Sequence, residues 1–292
     1  MDIRSAPLPS NLRLMSPKVI LVTGCSNGGI GFYLCERFAE QGCTVYATSR
    51  KLETMDGFKH PVEKRAMDVT SDDDVKLVVQ SILEEQGKID IVVNNAGAIA
   101  IGPLLDVSLD QARKAFETNT FSILRVAQTV APSMVERKQG LIVNIGSLVG
   151  NIPTPWNGLY CAAKAAVHAL NDVLAMECKP FGVKVMLVAP GQVRSNINAN
   201  QAATLELSST SIYEPYFDRM YDRMRGNQAK ESMDTDDFAR RVVAKVLRPN
   251  PPRYMSLGGK SGLFEFFCWL PRSLVLRILG SWMVWKKTEL SV

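Results

Sequence analysis

Tyr160 and Lys164 stand four residues apart in LYCAAKAAVHALNDVLAMECK, a stretch that reads as a helix, so they share one helix face. Ser147 lies thirteen residues before Tyr160, at the end of the apolar run GLIVNIGS. A tyrosine, a lysine and a serine brought together suit proton transfer to a carbonyl oxygen. Free tyrosine ionises near about 10, too high for ready exchange at neutral pH. An ammonium beside it favours phenolate and is expected to bring that value nearer the working range. The serine hydroxyl can hydrogen-bond the substrate oxygen as negative charge develops on it. A Tyr-x-x-x-Lys pair alone also arises from surface packing. The serine offset and an upstream nucleotide loop set this one apart.

That loop is Thr23-Gly24-Cys25-Ser26-Asn27-Gly28-Gly29-Ile30-Gly31. It falls between KVILVTG, which reads as a buried strand, and GFYLCERFAEQG, which reads as a helix closed by Gly42. Glycines let the backbone turn tightly and approach a pyrophosphate, which the free N–H groups of the helix start would bind. A glycine-rich string by itself is equally a structural turn; its place in a strand–loop–helix unit favours the nucleotide. The next strand, CTVYATSR, ends in Ser49, Arg50 and Lys51, with no carboxylate before Glu53. A carboxylate there would bind a ribose 2′-hydroxyl and repel a phosphate. Ser49 and Arg50 suit a 2′-phosphate, hence NADP(H), although Arg50 and Lys51 can also be read as plain solvated cations.

The elements that must position these residues alternate between apolar runs and helix-period stretches from Lys18 onward. Such alternation predicts a parallel sheet covered on both faces. VEKRAMDVT reads as a weaker third strand and SDDDVKLVVQSILEEQG as a helix whose acidic first turn suits the dipole. IDIVVNNAG, GLIVNIGS and VKVMLVAPG supply strands four to six, and RYMSLGG a final strand after the helix TDDFARRVVAKVLRP. One long helix is expected from Ser108, opened by a Ser108/Gln111 capping box and bent at Pro132. The fold expected is α/β: a Rossmann-type doubly wound parallel sheet of about seven strands, plus a C-terminal apolar helical extension.

Hydrophobic residues are 46% and charged residues 22% of the 292, an ordinary globular composition. A net charge of +5 without a basic cluster gives no case for nucleic acid. Six cysteines without CxxC spacing read as reduced, buried thiols of an intracellular protein. With only His60 and His168, a histidine-based metal centre is not expected. Residues 1–16 have no apolar core and read as a flexible extension rather than a secretory signal.

Taken together, these motifs resemble the short-chain dehydrogenase/reductase family over about residues 18–258. The matching residues are the TGCSNGGIG loop, Asp68-Val69, Asn94-Asn95-Ala96-Gly97, Asn119, Ser147, Tyr160 with Lys164, and Pro190-Gly191 leading to Val193 and Ser195. The resemblance implies catalytic roles for Asn119, Ser147, Tyr160 and Lys164. Asn119 would place a water in a proton relay to Lys164, which would also bind the nicotinamide ribose. It implies a cofactor held by Gly24, Ser26, Asn27, Gly29 and Ile30, and by Ser49 and Arg50. Asp68 and Val69 would hold the adenine, and Asn95, Ala96 and Gly97 would line the cofactor and brace the sheet. Pro190, Gly191, Val193 and Ser195 would clasp the carboxamide. The glycine loop is one residue longer than the family's usual TGxxxGxG, which leaves Ser26, Asn27 and Ile30 open by one position. Ser195 stands where threonine is customary and keeps the hydroxyl.

Within the family, TGCSNGGIG, VYATSRKLETM, SIYEPYF and the apolar tail resemble fungal-type acyl-dihydroxyacetone-phosphate reductases and other reductases of hydrophobic substrates. The implied organisation is a catalytic domain over 17–258, with 192–232 as a substrate lid, and an apolar amphipathic tail over 259–292. The lid's Ile212, Tyr213, Tyr216, Phe217, Met220 and Tyr221 either line the substrate or pack the lid onto the domain. In the tail, Val275, Ile278, Leu279 and Trp282 follow helical spacing, and Trp282, Trp285, Lys286 and Lys287 suit a headgroup region. Glu265, Arg272 and Arg277 disfavour a membrane span. Residues 262–285 therefore either rest on a membrane or lipid droplet, or dock on the protein's own lid or a second subunit. The function expected is NADPH-dependent reduction of a hydrophobic carbonyl by a cytoplasmic homodimer or homotetramer, on the cytosolic face of the endoplasmic reticulum or on lipid droplets. An oxidative dehydrogenase of a terpenoid or other secondary-metabolite alcohol, and a silent NADP(H)-binding regulator, are the alternatives.

Overall fold

A computed structural model describes residues 16–195, 207, 210–225 and 231–285. The expected N-terminal extension, most of the first half of the lid, and Lys286 and Lys287 lie outside the described residues.

Seven parallel strands form one sheet in the order β3-β2-β1-β4-β5-β6-β7. They are β1 (Val19–Thr23), β2 (Thr44–Ser49), β3 (Glu63–Ala66), β4 (Ile91–Asn94), β5 (Gly140–Ile145), β6 (Val183–Pro190) and β7 (Tyr254–Leu257). β1 is wholly buried because both its faces are covered, which is why its sequence is a continuous apolar run. The helices are α1 (Ile30–Glu40), α2 (Asp72–Gln86), α3 (Leu109–Phe116), α4 (Ser122–Glu136), α5 (Gly158–Cys178), α6 (Phe217–Arg225), α7 (Thr235–Val246), α8 (Ser261–Trp269) and α9 (Arg272–Met283). One face of the sheet packs on Leu34, Cys35 and Phe38 of α1 and Phe238, Val242 and Val246 of α7. The other packs on Val75, Val79 and Ile82 of α2, Val126 and Val130 of α4 and Ala175 of α5. Strand order reverses between β1 and β4, and a crevice opens there beyond their carboxyl ends.

The capping box at Ser108 and Gln111 is present. The long helix predicted after it, however, is interrupted at Glu117–Phe121 by a π-helical turn, while Pro132 stays inside α4. A π-turn inserts one residue into the helical ladder, and residue periodicity does not reveal it. The thiols are all free, but the expectation that they are buried holds only for Cys25, Cys35 and Cys161. Cys43 and Cys178 are half-buried, and Cys268 is exposed on the outer side of α8.

α8 and α9 fold back onto the domain. Val275 and Leu279 of α9 are buried with Phe267 of α8 and Ile152, and Ile278 packs beside them. Most of the apolar stripe read from the tail's spacing is therefore an inner face.

Candidate active site

The crevice is a cavity of about 1320 Å³. Its lining includes every residue nominated above for catalysis or for the cofactor, from Gly24 to Ser195.

At the switch point, Gly24 has φ +72, and a Cβ there would stand 2.6 Å from the Ala96 Cα. Only glycine lets β1 turn so close to the chain leaving β4. A Cβ on Gly31 would come within 2.5 Å of the Asn95 side chain and the Gly24 carbonyl. α1 begins at Ile30 with Gly29 as its N-cap, and Gly28 before it adopts φ +74. Thr23 Oγ1 accepts the N–H groups of Asn95 and Ala96 at 3.0 Å each, and Asn95 Nδ2 donates to the carbonyls of Thr23 (2.8 Å) and Gly24 (2.9 Å). This two-way lock joins the ends of β1 and β4.

Beyond β2, the hydroxyls of Ser26, Ser49 and Thr54 lie within 3.3 Å of one another. Arg50 and Lys51 border the same end of the cavity, both exposed and neither in an ion pair among the described residues. Sequence reasoning missed Thr54, which a three-residue 3-10 helical offset from Lys51 brings back over the loop. After β3, Val69 is steadied by Arg125 of α4, whose guanidinium donates to its carbonyl at 2.9 Å, and the Asp68 N–H donates to Asp74 Oδ2 at 3.0 Å.

Asn119 sits in the π-turn, fully buried, and its amide bonds Ala98 in both directions: Nδ2 to the carbonyl at 2.8 Å, Oδ1 from the N–H at 3.1 Å. Lys164 is buried, with Nζ donating to the Ile145 carbonyl at 2.8 Å and lying 5.7 Å from the centre of the Tyr160 ring. Burial pushes its ammonium down to about 8. Burial pushes the Tyr160 phenol up to about 12, partly offset by its hydrogen bond with Ser147. Burial thus acts against the expected lowering by Lys164, whose Nζ donates to the β5 carbonyl.

After β6, Gln192 is pinned by main-chain bonds to Gly259 (2.9 Å) and Met233 (3.0 Å), holding Pro190-Gly191 and Ser195 along the cavity. The Gln192 Oε1 atom is buried without a hydrogen-bond partner among the described residues. An orphaned acceptor next to Gly191, and a glycine loop whose residues border the cavity, both fit a dinucleotide.

Sequence reasoning missed the far wall. It is made by Leu263, Phe264 and Phe267 of α8 and Leu279, Trp282 and Met283 of α9. The six lid residues singled out for substrate contact are absent from the lining among the described residues. Tyr213 and Tyr216 instead pack on Trp156, each at 5.8 Å between ring centres, and Met220 is fully buried. These contacts favour the packing role for these three. The signal for the true wall was the tail's apolar stripe, whose spacing was visible but whose direction was not.

A doubly wound sheet with a glycine loop at its switch point and a Ser–Tyr–Lys cluster across the same cavity defines a Rossmann-type protein built around a nucleotide cleft. Residues 18–206 match the family model described as short chain dehydrogenase. A short-chain dehydrogenase of Pyricularia oryzae is 34% identical over 278 residues, covering 93% of this chain and 95% of that one. The NADPH-dependent 1-acyldihydroxyacetone phosphate reductase of Schizosaccharomyces pombe is 35% identical over 204 residues, 68% of this chain and 69% of its own. A short-chain dehydrogenase crystal structure from Streptomyces avermitilis superposes with a TM-score of 0.75 at 28% identity, covering 91% of this chain and 96% of that one. The chain belongs to the short-chain dehydrogenase family.

Proposed function

We propose that this protein is an NADP(H)-dependent oxidoreductase that reduces the carbonyl of a hydrophobic substrate to an alcohol. One observation carries the reading: Ser147, Tyr160 and Lys164 border the same cavity as the glycine loop and a wall of apolar side chains. When bound, the cofactor supplies a hydride to the carbonyl carbon. Ser147 Oγ hydrogen-bonds the carbonyl oxygen, and Tyr160 gives it a proton as charge builds there. Lys164 steadies the phenolate that remains, and proton return runs by way of Lys164 and Asn119. Ser49, Arg50 and Lys51, with Ser26 and Thr54, hold the 2′-phosphate. The main-chain turn at Gly24–Ile30 takes the pyrophosphate, and Pro190 to Ser195 the carboxamide.

For the substrate we favour an acyl-dihydroxyacetone-phosphate-like lipid. Support comes from the apolar wall, from Lys260 at its edge, and from the name carried by the Schizosaccharomyces pombe relative. The test follows NADPH consumption with acyl-dihydroxyacetone phosphates and steroid ketones, and NADPH formation from NADP+ with terpenoid alcohols, with NADH and NAD+ in parallel. Turnover of the phosphorylated lipid alone would support the assignment. Faster oxidation of a terpenoid alcohol would replace it with the dehydrogenase reading, and no turnover with any substrate would leave an NADP(H)-binding regulator.

A lipid surface as docking partner is favoured by a second observation. Among the described residues no helix is long and apolar enough to cross a membrane. Leu263 and Trp282 line the cavity and are also exposed, so they mark its rim. On the same two helices Phe266, Trp269, Leu274 and Leu276 are exposed, Trp269 by 88%. Arg272 and Arg277 stand exposed on α9 to meet anionic headgroups. On this reading the enzyme rests mouth-down on the cytosolic face of the endoplasmic reticulum or on a lipid droplet, where six free thiols persist. Full-length protein should float with phosphatidylserine-containing liposomes, and Trp269→Ser with Phe266→Ser should stay in solution. Equal behaviour of the two would remove the membrane reading. Exposed Phe121, Val173 and Met176 on the α4–α5 side suit a homodimer or homotetramer, to be read by light scattering.

A further inference from the structure

Ser147 is flanked by Gly146 and Gly150, and the imidazole of His168 from α5 lies against both. A Cβ on Gly146 would stand 2.5 Å from His168 Nε2, and one on Gly150 2.7 Å from the same atom. The loop after β5 is therefore wrapped around this ring, and the two glycines are what let it close. His168 is itself 9% exposed and is not among the residues that line the cavity.

The ring's hydrogen bonds have only one consistent direction. The main-chain N–H of Ser147 faces Nε2 at 3.4 Å, and a backbone N–H can only donate, so Nε2 must carry the lone pair. Nδ1 then carries the proton, which it gives to Asn151 Oδ1 at 2.8 Å. That leaves Asn151 Nδ2 to donate to the Tyr254 hydroxyl at 2.8 Å. The Tyr254 ring in turn meets the imidazole edge-on, at 6.5 Å and 78°. Burial, together with the charge of Lys164, pushes the imidazole down to about 4, so the neutral form that this arrangement needs is the one present at neutral pH. The run from Tyr254 on edge strand β7 through Asn151 and His168 ends on the peptide of Ser147.

We propose that His168, held by Asn151 and Tyr254, is a positioning residue that sets the backbone of Ser147 and hence the aim of its hydroxyl at the substrate oxygen. It rests on the reading of Ser147 given above. His168 does not line the cavity, so on this proposal it acts through the serine.

The experiment measures kcat and KM for NADPH and for the preferred ketone. His168→Leu fills similar space without polar atoms and should lower kcat about tenfold while leaving KM for NADPH unchanged. His168→Gln keeps an acceptor for Ser147 and a donor for Asn151 and should restore most of the loss. Asn151→Ala, at a half-buried site outside the core, should lower kcat several-fold and serves if the leucine variant does not fold. In a Ser147→Ala background, His168→Leu should add no further loss in kcat, because the residue it acts through is gone. Unchanged kcat in His168→Leu, or in Asn151→Ala where that is the variant that folds, overturns the proposal. So does an added tenfold loss on top of Ser147→Ala, or failure of glutamine to restore activity. An inactive wild type removes the oxidoreductase reading. An active wild type with an equally active His168→Leu removes only this one.

Discussion

Trp156 Nε1 donates to the main-chain carbonyl of Met283 at 3.1 Å, joining the loop before α5 to the end of α9. The same tryptophan is buried at φ +69, carries Tyr213 and Tyr216 against its ring, and lies two residues before the helix that bears Tyr160. Arg219 of α6 donates to the Val284 carbonyl at 3.1 Å, so the lid and the last helix close on one point.

The first prediction concerns that closure. Trp156→Phe keeps an aromatic ring but loses the donor, at a cost of about 0.5–1.5 kcal/mol. It should raise KM for the hydrophobic substrate several-fold while leaving KM for NADPH unchanged. Ending the chain at Gly259 removes the whole apolar wall, each fully buried side chain of which is worth about 1.5–3 kcal/mol. Steady-state kinetics on the truncated protein should show at least a tenfold loss of kcat/KM with NADPH still bound. Undiminished kcat/KM would remove α8 and α9 from the substrate site.

A second prediction tests the cofactor selector. Arg50→Ala removes a charge-assisted contact worth about 1.5–3 kcal/mol and should weaken NADPH ten- to a hundredfold, roughly. Arg50→Asp with Lys51→Ala should reverse the preference toward NADH. Fluorescence titration of both dinucleotides checks it, and an unchanged NADPH affinity in Arg50→Ala would dismiss the selector.

The third prediction separates chemistry from binding. Tyr160→Phe should abolish turnover and spare NADPH affinity, because only the proton donor is lost. Lys164→Ala should damage both, since the proposed mechanism gives its ammonium a part in the proton relay and in holding the ribose. Substantial turnover by Tyr160→Phe would end the mechanism.

The fourth concerns pH and direction. With the Tyr160 phenol at about 12 and the Lys164 ammonium at about 8, both groups hold their protons below pH 8. The acid form needed for reduction is then nearly constant, whereas the phenolate needed for oxidation grows tenfold per pH unit. Between about pH 5 and 7, well below the Lys164 value, kcat/KM for the ketone should be flat and that for the alcohol should climb with a slope near one. A profile for the alcohol that levels near neutrality would mean that Lys164 does pull the phenol down in the working enzyme.

Local chemistry was legible in the chain because each signal was carried by near neighbours. Gly24 to Gly31, Tyr160 with Lys164, and the apolar strands all declare themselves within a turn or a strand, and the sheet brings them to one crevice. What periodicity could not convey was direction and distance. Leu279 looks the same whether its helix lies on lipid or on Phe267, and Tyr213 looks the same whether it meets a substrate or Trp156. The π-turn at Asn119 and the upward shift at Tyr160 were hidden for a related reason. One is a single-residue slip in a ladder, the other a result of enclosure by segments far away in sequence.

The two walls of the cavity also differ in when they are made. All residues nominated for the dinucleotide, and six of the seven strands, precede residue 196, whereas the apolar wall is supplied by residues 263–283. On the ribosome the nucleotide half emerges first, so a cell rich in NADPH offers the growing chain a stabilising ligand before its substrate half exists. Pulse proteolysis of chains stalled after β7, with and without NADPH, should find protection by the dinucleotide already at that length. If the proposed roles of the two walls hold, such a chain would meet its dinucleotide before the compartment for the other reactant has closed.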